Sequence, residues 1–185
     1  MRVIAGSAKG RILKAVSGQN TRPTTDKVKE SIFNIIGPYF DGGIVLDLFA
    51  GTGGLGIEAL SRGMNQGIFI DHHKLSIETI NKNIRATEMD DRVEVYQNDA
   101  IRALNALKKR ELCFDLVFLD PPYRMKNLEE ILDFLIDHQL LNENAKVVTE
   151  HDAKYHLTNL DQLKGLEQIR DAIYGDIGVT IFQKK

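Results

Sequence analysis

The four residues Asp120-Pro121-Pro122-Tyr123 are the stretch of this 185-residue chain whose possible chemistry is most direct. They follow the apolar run 114–119, which predicts that they lie at the end of a buried strand. Proline has no backbone N–H, so this turn presents carbonyl oxygens and the Asp120 carboxylate as hydrogen-bond acceptors. The exocyclic amino group of a nucleobase fits such acceptors, and the Tyr123 ring can stack on the same base. The alternative is a proline-stiffened loop with Asp120 as a turn residue.

A glycine-rich loop earlier in the chain supplies a second chemical signal. Residues 51–56 satisfy the G-x-G-x-x-G pattern and Asp71 follows twenty residues after Gly51, so a nicotinamide dinucleotide is one candidate ligand. Asp47, at the end of the preceding strand, argues against it, because a pyrophosphate at the helix N-terminus would meet a negative charge. The cationic amino-acid end of S-adenosylmethionine, which has no phosphate, would be favoured there.

Acidic residues follow three successive predicted strands, at Asp47, Asp71 and Asp99. Carboxyl ends of parallel strands form the ligand-binding edge of such sheets. We expect the loop backbone to pass beneath the cofactor, Asp71 to accept its ribose hydroxyls and Asp99 to meet its adenine amine. Each acid alone is equally consistent with a helix cap or a turn, and His72 is also consistent with a solvated loop. The predicted cofactor-binding residues are Asp47, Phe49, Ala50, Gly51, Thr52, Gly53, Asp71, His72, Asn98, Asp99 and Ala100.

Strands alternate with helices through residues 41–185, which we interpret as one domain. The alternation predicts a doubly wound, mostly parallel sheet, and a C-terminal hairpin around Gly175-Asp176 predicts one antiparallel strand. The predicted strands are 44–46, 67–71, 93–96, 115–119, 145–149, 168–173 and 179–182, seven in all. The predicted helices are 57–62, 75–88, 128–136 and one around 101–107.

Residues 1–40 are predicted to form a basic appendage. Two short β-prone runs, 2–6 and 11–16, indicate a small hairpin, and Thr24-Thr25-Asp26 begins a helix that ends at Gly37-Pro38. The first 30 residues carry seven basic and two acidic side chains, whereas the remainder carries 17 and 24. This asymmetry favours an anionic partner such as RNA, although a solvated terminus has the same composition. On this basis Arg22 and Lys27 are predicted to contact phosphate.

Composition excludes several other classes of protein. The single cysteine, Cys113, excludes an internal disulfide and makes a cysteine metal cluster implausible, and the histidines lack metal-ligand spacing. No metal is therefore expected. No apolar run approaches the roughly 20 residues that span a bilayer. We therefore expect no membrane association, and we expect the protein to be cytoplasmic.

The motifs resemble those of a known family. Residues 45–53 and Asp120–Tyr123 look like the cofactor and amine-binding motifs of Rossmann-like class I methyltransferases that act on exocyclic amines. Residues 2–6, 9–11, 22–30 and 56–63 are similar to a narrower group, the bacterial 16S rRNA guanine-N2 methyltransferases of the RsmD type. Gly54, where this group more often has Ala, and Tyr123, where Phe is common, are small departures.

The resemblance implies methyl transfer from S-adenosylmethionine to the N2 amine of a guanine in 16S rRNA. Asp120 and a carbonyl of Pro121 or Pro122 would accept the amine hydrogens while Tyr123 holds the base. The implied partner is 16S rRNA in an assembling small ribosomal subunit, with no oligomer required. The predicted RNA-binding residues are Arg2, Lys9, Arg11, Arg22, Thr24 and Lys27. An adenine-N6 or protein-glutamine methyltransferase, or a non-catalytic RNA-binding protein on this scaffold, remain alternatives.

Overall fold

A mixed sheet forms the centre of the protein. The computed structural model describes residues 1–18, 24–122, 128–155 and 163–185. The strands are β1 (Ile44–Asp47), β2 (Gln66–Asp71), β3 (Val93–Gln97), β4 (Phe114–Leu119), β5 (Leu141–Asp152), β6 (Leu166–Tyr174) and β7 (Ile177–Lys184). They form a seven-stranded sheet in the order β3-β2-β1-β4-β5-β7-β6. Strands β1 to β5 pair in parallel, and β7 is antiparallel to both of its neighbours. The predicted fold class is confirmed.

Helices cover both faces of this sheet because the apolar residues of its inner strands alternate in direction. The helices are α1 (Asp26–Ile36), α2 (Gly54–Ser61), α3 (Lys74–Ala86), α4 (Ala100–Lys109) and α5 (Leu128–Asp137). Helices α1, α2 and α3 share one apolar core with Val45 and Phe118, and α4 and α5 share the other with Leu46 and Val117. Within the described ranges, none of the helices is long and apolar enough to cross a bilayer.

The element boundaries follow local capping. Helix α1 begins after Thr25, whose side chain accepts the Val28 N–H at 3.3 Å, and ends at Gly37 with φ 129°. Strand β5 extends beyond the predicted 145–149 at both ends. The predicted N-terminal hairpin is a short antiparallel pairing with one bridge, Arg2 to Ile12.

The N-terminal segment, residues 1–18, packs on α2. Val3 and Leu13 are buried in the same apolar core as that helix. The Ser61 hydroxyl donates to the Ala5 carbonyl at 2.6 Å. At Gly6, φ is 86° and an added Cβ would lie 1.7 Å from the Ser61 carbonyl oxygen, so glycine is needed for this approach. The segment is thereby fixed against the C-terminal end of α2.

Candidate active site

Four of the predicted acidic residues lie along the carboxyl edge of the sheet. Asp47 and Asp71 are the last residues of β1 and β2, Asp99 precedes α4, and Asp120 directly follows β4. The pairing of β1 with β4 aligns Asp47 with Phe118, two residues before Asp120. Because parallel strands keep aligned side chains on the same face, Asp47 and Asp120 project to one side of the sheet.

The glycine loop is held open by backbone contacts to this edge. Gly51 and Gly53 have φ values of 56° and 78°, in the left-handed region that favours glycine. The Gly51 N–H donates to the Asp71 carboxylate at 2.9 Å. No described heavy atom lies within 4 Å of the position of an added Gly51 Cβ. This open space above bare backbone fits a ligand that passes closely over the loop, as predicted for S-adenosylmethionine.

The last glycine of the loop has a packing role. An added Cβ at Gly56 would lie 2.4 Å from the Phe69 ring on β2, and the Gly56 N–H donates to Asp47 at 3.1 Å. Gly56 therefore lets α2 approach the sheet and orients the buried Asp47 carboxylate. Phe49 is half-buried, and the buried Ala50 donates its N–H to the Ile70 carbonyl at 2.9 Å.

Asp71 organises two loops at once. Its second oxygen accepts the His73 N–H at 2.8 Å. Each carboxylate oxygen has two lone pairs, so both keep acceptor capacity for hydroxyl groups. The His72 ring is exposed and its Nδ1 lies 3.9 Å from the Asp71 carboxylate.

Asp99 caps α4, which is the alternative role weighed for it. One carboxylate oxygen accepts the N–H groups of Ile101 and Arg102 at 3.0 and 3.2 Å. Asn98 connects this cap to the edge, because its N–H donates to the Asp71 carbonyl at 3.0 Å. Ala100 is buried. The structure thus places the predicted adenine-binding residues beside Asp71, and their ligand contacts stay a prediction.

Asp120 stands at the predicted amine-binding turn. Asp120 is half-buried as a residue, and desolvation of its carboxyl group raises its pKa to about 6. Pro121 is buried and Pro122 exposed, while Tyr123 lies outside the described residues. A carboxyl group with this pKa is ionised at neutral pH and can accept a hydrogen bond or a proton.

A fifth carboxyl group, Glu150, was not predicted. It lies in β5, is 5% exposed and accepts the Thr24 hydroxyl at 2.8 Å. Burial, then the negative charge of Asp120, raise its pKa well above the usual range. The same two effects, desolvation first, raise the pKa of Asp47 to about 7, with Asp71 adding a further negative charge. Glu150 is hidden in the sequence because only the β4–β5 register places it beside Asp120.

Most of the predicted RNA-binding residues are on the surface. Arg2, Lys9, Arg11 and Lys27 are exposed. Arg2 pairs with Asp26 at 3.2 Å and Arg11 with Glu88 at 3.3 Å. Thr24 is buried and bonded to Glu150. Arg22 lies outside the described residues.

A groove of about 500 Å³ separates the N-terminal segment from α1 and the turn after it. Arg2, Lys9, Glu30 and Tyr39 are among its lining residues, and Tyr39 is 65% exposed. Basic side chains and an exposed aromatic ring together are the groups that contact phosphates and bases in RNA. A smaller cavity of about 200 Å³ lies at the amino-terminal edge of the sheet, which is the edge opposite the predicted acidic residues.

A buried ion network under the N-terminal segment was also missed. Glu58 accepts Lys29 at 3.0 Å and Arg62 at 2.7 Å, and its carboxylate receives the N–H groups of Ile4 and Ala5 at 2.9 and 3.1 Å. Lys29 and Glu58 have no exposed side-chain surface. Lys29, counted above among the basic residues of the appendage, is therefore not available to RNA.

No group of three or more His, Cys, Asp or Glu side chains arranged to hold a metal ion occurs in the part of the chain that the structure describes.

Known proteins are similar to this chain over nearly its whole length. A family profile described as "Conserved hypothetical protein 95" matches residues 1–183. The chain is 52% identical over 185 residues to the Bacillus subtilis "Putative rRNA methyltransferase YlbH", with all of both proteins covered. It is 30% identical to the Escherichia coli K12 "Ribosomal RNA small subunit methyltransferase D", covering 100% of this chain and 90% of that protein. The solved structure "Putative methyltransferase yhhF from Escherichia coli" superposes with a TM-score of 0.81 at 30% identity, covering 100% and 98%.

Proposed function

We propose, from the premise that the chain belongs to the conserved hypothetical protein 95 family, that it methylates the N2 amine of a guanine in 16S rRNA. The predicted family, the methyltransferase fold and S-adenosylmethionine as cofactor are confirmed by the comparisons. The names of the relatives support methylation of ribosomal RNA. The guanine, its N2 atom and the 16S target go beyond those names and are part of our proposal.

One observation carries this proposal: the ionisable Asp120 carboxyl lies on the same side of the sheet edge as the glycine loop and Asp47. Such a carboxylate can accept an N–H of an aryl amine whose lone pair is otherwise delocalised into the base. Accepting this hydrogen bond favours a more pyramidal and more nucleophilic amine nitrogen. Placement of the amine against the cofactor edge then supplies much of the rate.

The residues of this chain divide the remaining work. S-adenosylmethionine, when bound, supplies a methyl group activated by a sulfonium. The backbone of the loop 51–56 would contact the cofactor, and Asp71 would accept hydrogen bonds from its ribose hydroxyls. Asp120 receives the proton that leaves the amine, and a carbonyl of Pro121 or Pro122 accepts the second N–H. Tyr123 is proposed to hold the base in plane.

The N-terminal residues supply the proposed RNA surface. Arg2 and Arg11 are exposed in ion pairs that contribute at most about 1 kcal/mol each, so phosphate can replace Asp26 and Glu88. Lys9 and Lys27 are exposed as well. We therefore propose residues 1–40 as the RNA-binding unit, although they pack on the methyltransferase domain, 41–185. A ribosomal substrate also implies action in the cytoplasm, on an assembling small subunit.

The test is identification of the methylated nucleoside. The protein is incubated with labelled S-adenosylmethionine and either naked 16S rRNA, small subunits or duplex DNA, all from a strain without the enzyme. We expect N2-methylguanine from ribosomal substrate alone. N6-methyladenine, or label only in DNA or protein, contradicts the proposal. Asp120→Ala should bind the cofactor and lose transfer, whereas retained transfer removes Asp120 from the mechanism.

A further inference from the structure

Three carboxyl groups converge at the carboxyl ends of β1, β4 and β5. Phe118 is aligned with both Asp47 on β1 and Val148 on β5. Two residues further along, Asp120 and Glu150 therefore project to the same face as Asp47. We call Asp47, Asp120 and Glu150 the carboxyl cluster.

In the carboxyl cluster Asp47 and Glu150 are buried and Asp120 is half-buried, and no described cation compensates their charges. Among the described residues, no Lys, Arg or His forms an ion pair with any of the three; Asp47 accepts a backbone N–H and Glu150 a hydroxyl group. Glu58 shows the contrasting solution in the same fold, because two cations contact it. Three like charges so close together, two of them buried and none paired with a cation, are strongly unfavourable, so the cluster either holds protons or receives a cationic ligand.

Glu150 is the member of the carboxyl cluster whose described surroundings contain only acidic charged groups and one hydroxyl donor. The described groups that act on it are Asp120 on β4, Asp47 on β1 and the Thr24 hydroxyl before α1, and its partner on β7 is Val179. Both charged neighbours are acidic and therefore favour its neutral form. Burial and these acidic neighbours raise its pKa well above the usual range, and the pKa values of Asp120 and Asp47 are also raised, to about 6 and about 7.

We infer that Glu150 releases its proton when the sulfonium-bearing cofactor enters the carboxyl cluster, so that cofactor binding and proton release are linked. This inference rests on the proposed function only in placing the cofactor at this edge. The sulfonium supplies the missing positive charge, and the ionised form of Glu150 then becomes favourable. By linkage, affinity for the cofactor rises with pH, by at most about tenfold per pH unit for one proton. S-adenosylhomocysteine lacks the sulfonium charge and should release less.

Titration calorimetry in two buffers of different ionisation enthalpy measures the released protons directly. At about pH 8, Asp120 and Asp47 are mostly ionised, so proton release that is present in the wild type and absent from Glu150→Gln is assigned to Glu150. We expect S-adenosylmethionine to release protons from the wild type, S-adenosylhomocysteine to release fewer, and Glu150→Gln to lose this release. Gln keeps the shape and an acceptor for Thr24. Glu167→Gln, on exposed β6, should behave as the wild type.

The outcomes separate this inference from the proposed function. Binding of S-adenosylmethionine with no proton release, or equal release by Glu150→Gln, overturns the inference and leaves the methyltransferase intact. Absence of cofactor binding overturns both. If Glu150→Gln does not fold, Thr24→Val provides the second test. It removes a hydrogen bond that favours the ionised carboxylate, so the pH range of proton release should move upward; an unmoved range contradicts the inference.

Discussion

Replacing Glu58 by Gln tests how the N-terminal segment is held on the domain. The carboxylate receives two cations and two backbone N–H groups, and neither it nor Lys29 reaches solvent. Gln would leave the Lys29 ammonium without a buried counter-ion. Breaking a buried pair on one side costs about 3–5 kcal/mol. At roughly 2–4 °C per kcal/mol for a chain of this size, the midpoint of thermal unfolding should fall by roughly 6–20 °C.

Thermal unfolding measures this midpoint, denaturant unfolding measures the free energy of unfolding, and the chain offers a matched control. Glu94 also receives a cation, with Arg110 donating to its two oxygens at 2.7 and 2.9 Å, but both side chains are 41% exposed. An exposed pair contributes about 1 kcal/mol or less, so Glu94→Gln should change the unfolding free energy little. Equal effects of Glu58→Gln and Glu94→Gln would refute the reasoning, because burial would then make no difference.

A double-mutant cycle distinguishes a lost charge pair from a general packing defect. Lys29→Met removes the buried ammonium, so Glu58→Gln should cost much less in that background than alone. Additive effects would indicate two independent defects. Faster amide exchange at Ile4 and Ala5 in Glu58→Gln, with protection kept in the strands, would show that the N-terminal segment opens first.

The other predictions concern the site and its RNA surface. Methyl transfer at subsaturating S-adenosylmethionine should decline as pH falls through about 6, because protonated Asp120 cannot accept the amine proton; a flat profile of kcat/KM from pH 5 to 8 contradicts this. Gly56→Ala should destabilise the protein by about 1–3 kcal/mol in denaturant unfolding, because its Cβ meets an aromatic ring. Asn83→Ala should weaken both cofactor and RNA affinity, because this buried amide joins the glycine loop to the N-terminal segment; calorimetry showing either affinity unchanged contradicts the link. Lys9→Ala with Lys27→Ala should weaken RNA binding and flatten its salt dependence, with cofactor affinity retained as the control.

The predicted elements and acids follow from signals that are local in the sequence. Apolar runs bounded by glycine mark β1 and β2, and the acid that ends each run lies at the carboxyl edge in any parallel sheet. The Thr25 cap and the stop at Gly37 are likewise readable without tertiary information. Local signals are therefore sufficient to predict where the glycine loop, Asp71 and Asp120 lie in the fold.

Residues whose role depends on tertiary pairing were not predicted from the sequence. Lys29 adds to the count of basic residues, yet it belongs to the buried stripe of α1 with Val28, Ile32 and Phe33. Its position within an apolar helical repeat is a signal that could have identified it as buried. Glu150 offers no such signal, since nothing local indicates that Thr149 pairs with Leu119.

Gly54 shows how a local rule can be overridden by packing. A glycine in the first turn is expected to weaken the start of α2. An added Cβ, however, would lie 2.5 Å from the sulfur of Met1, which packs over this helix end. The space above Gly54 is thus filled by the N-terminal segment. The backbone of this segment at Lys14 is hydrogen-bonded to the Asn83 side chain, which also donates a hydrogen bond to the Thr52 carbonyl. The proposed RNA surface and the cofactor loop are therefore parts of one packed unit, and a change in either is expected to reach the other.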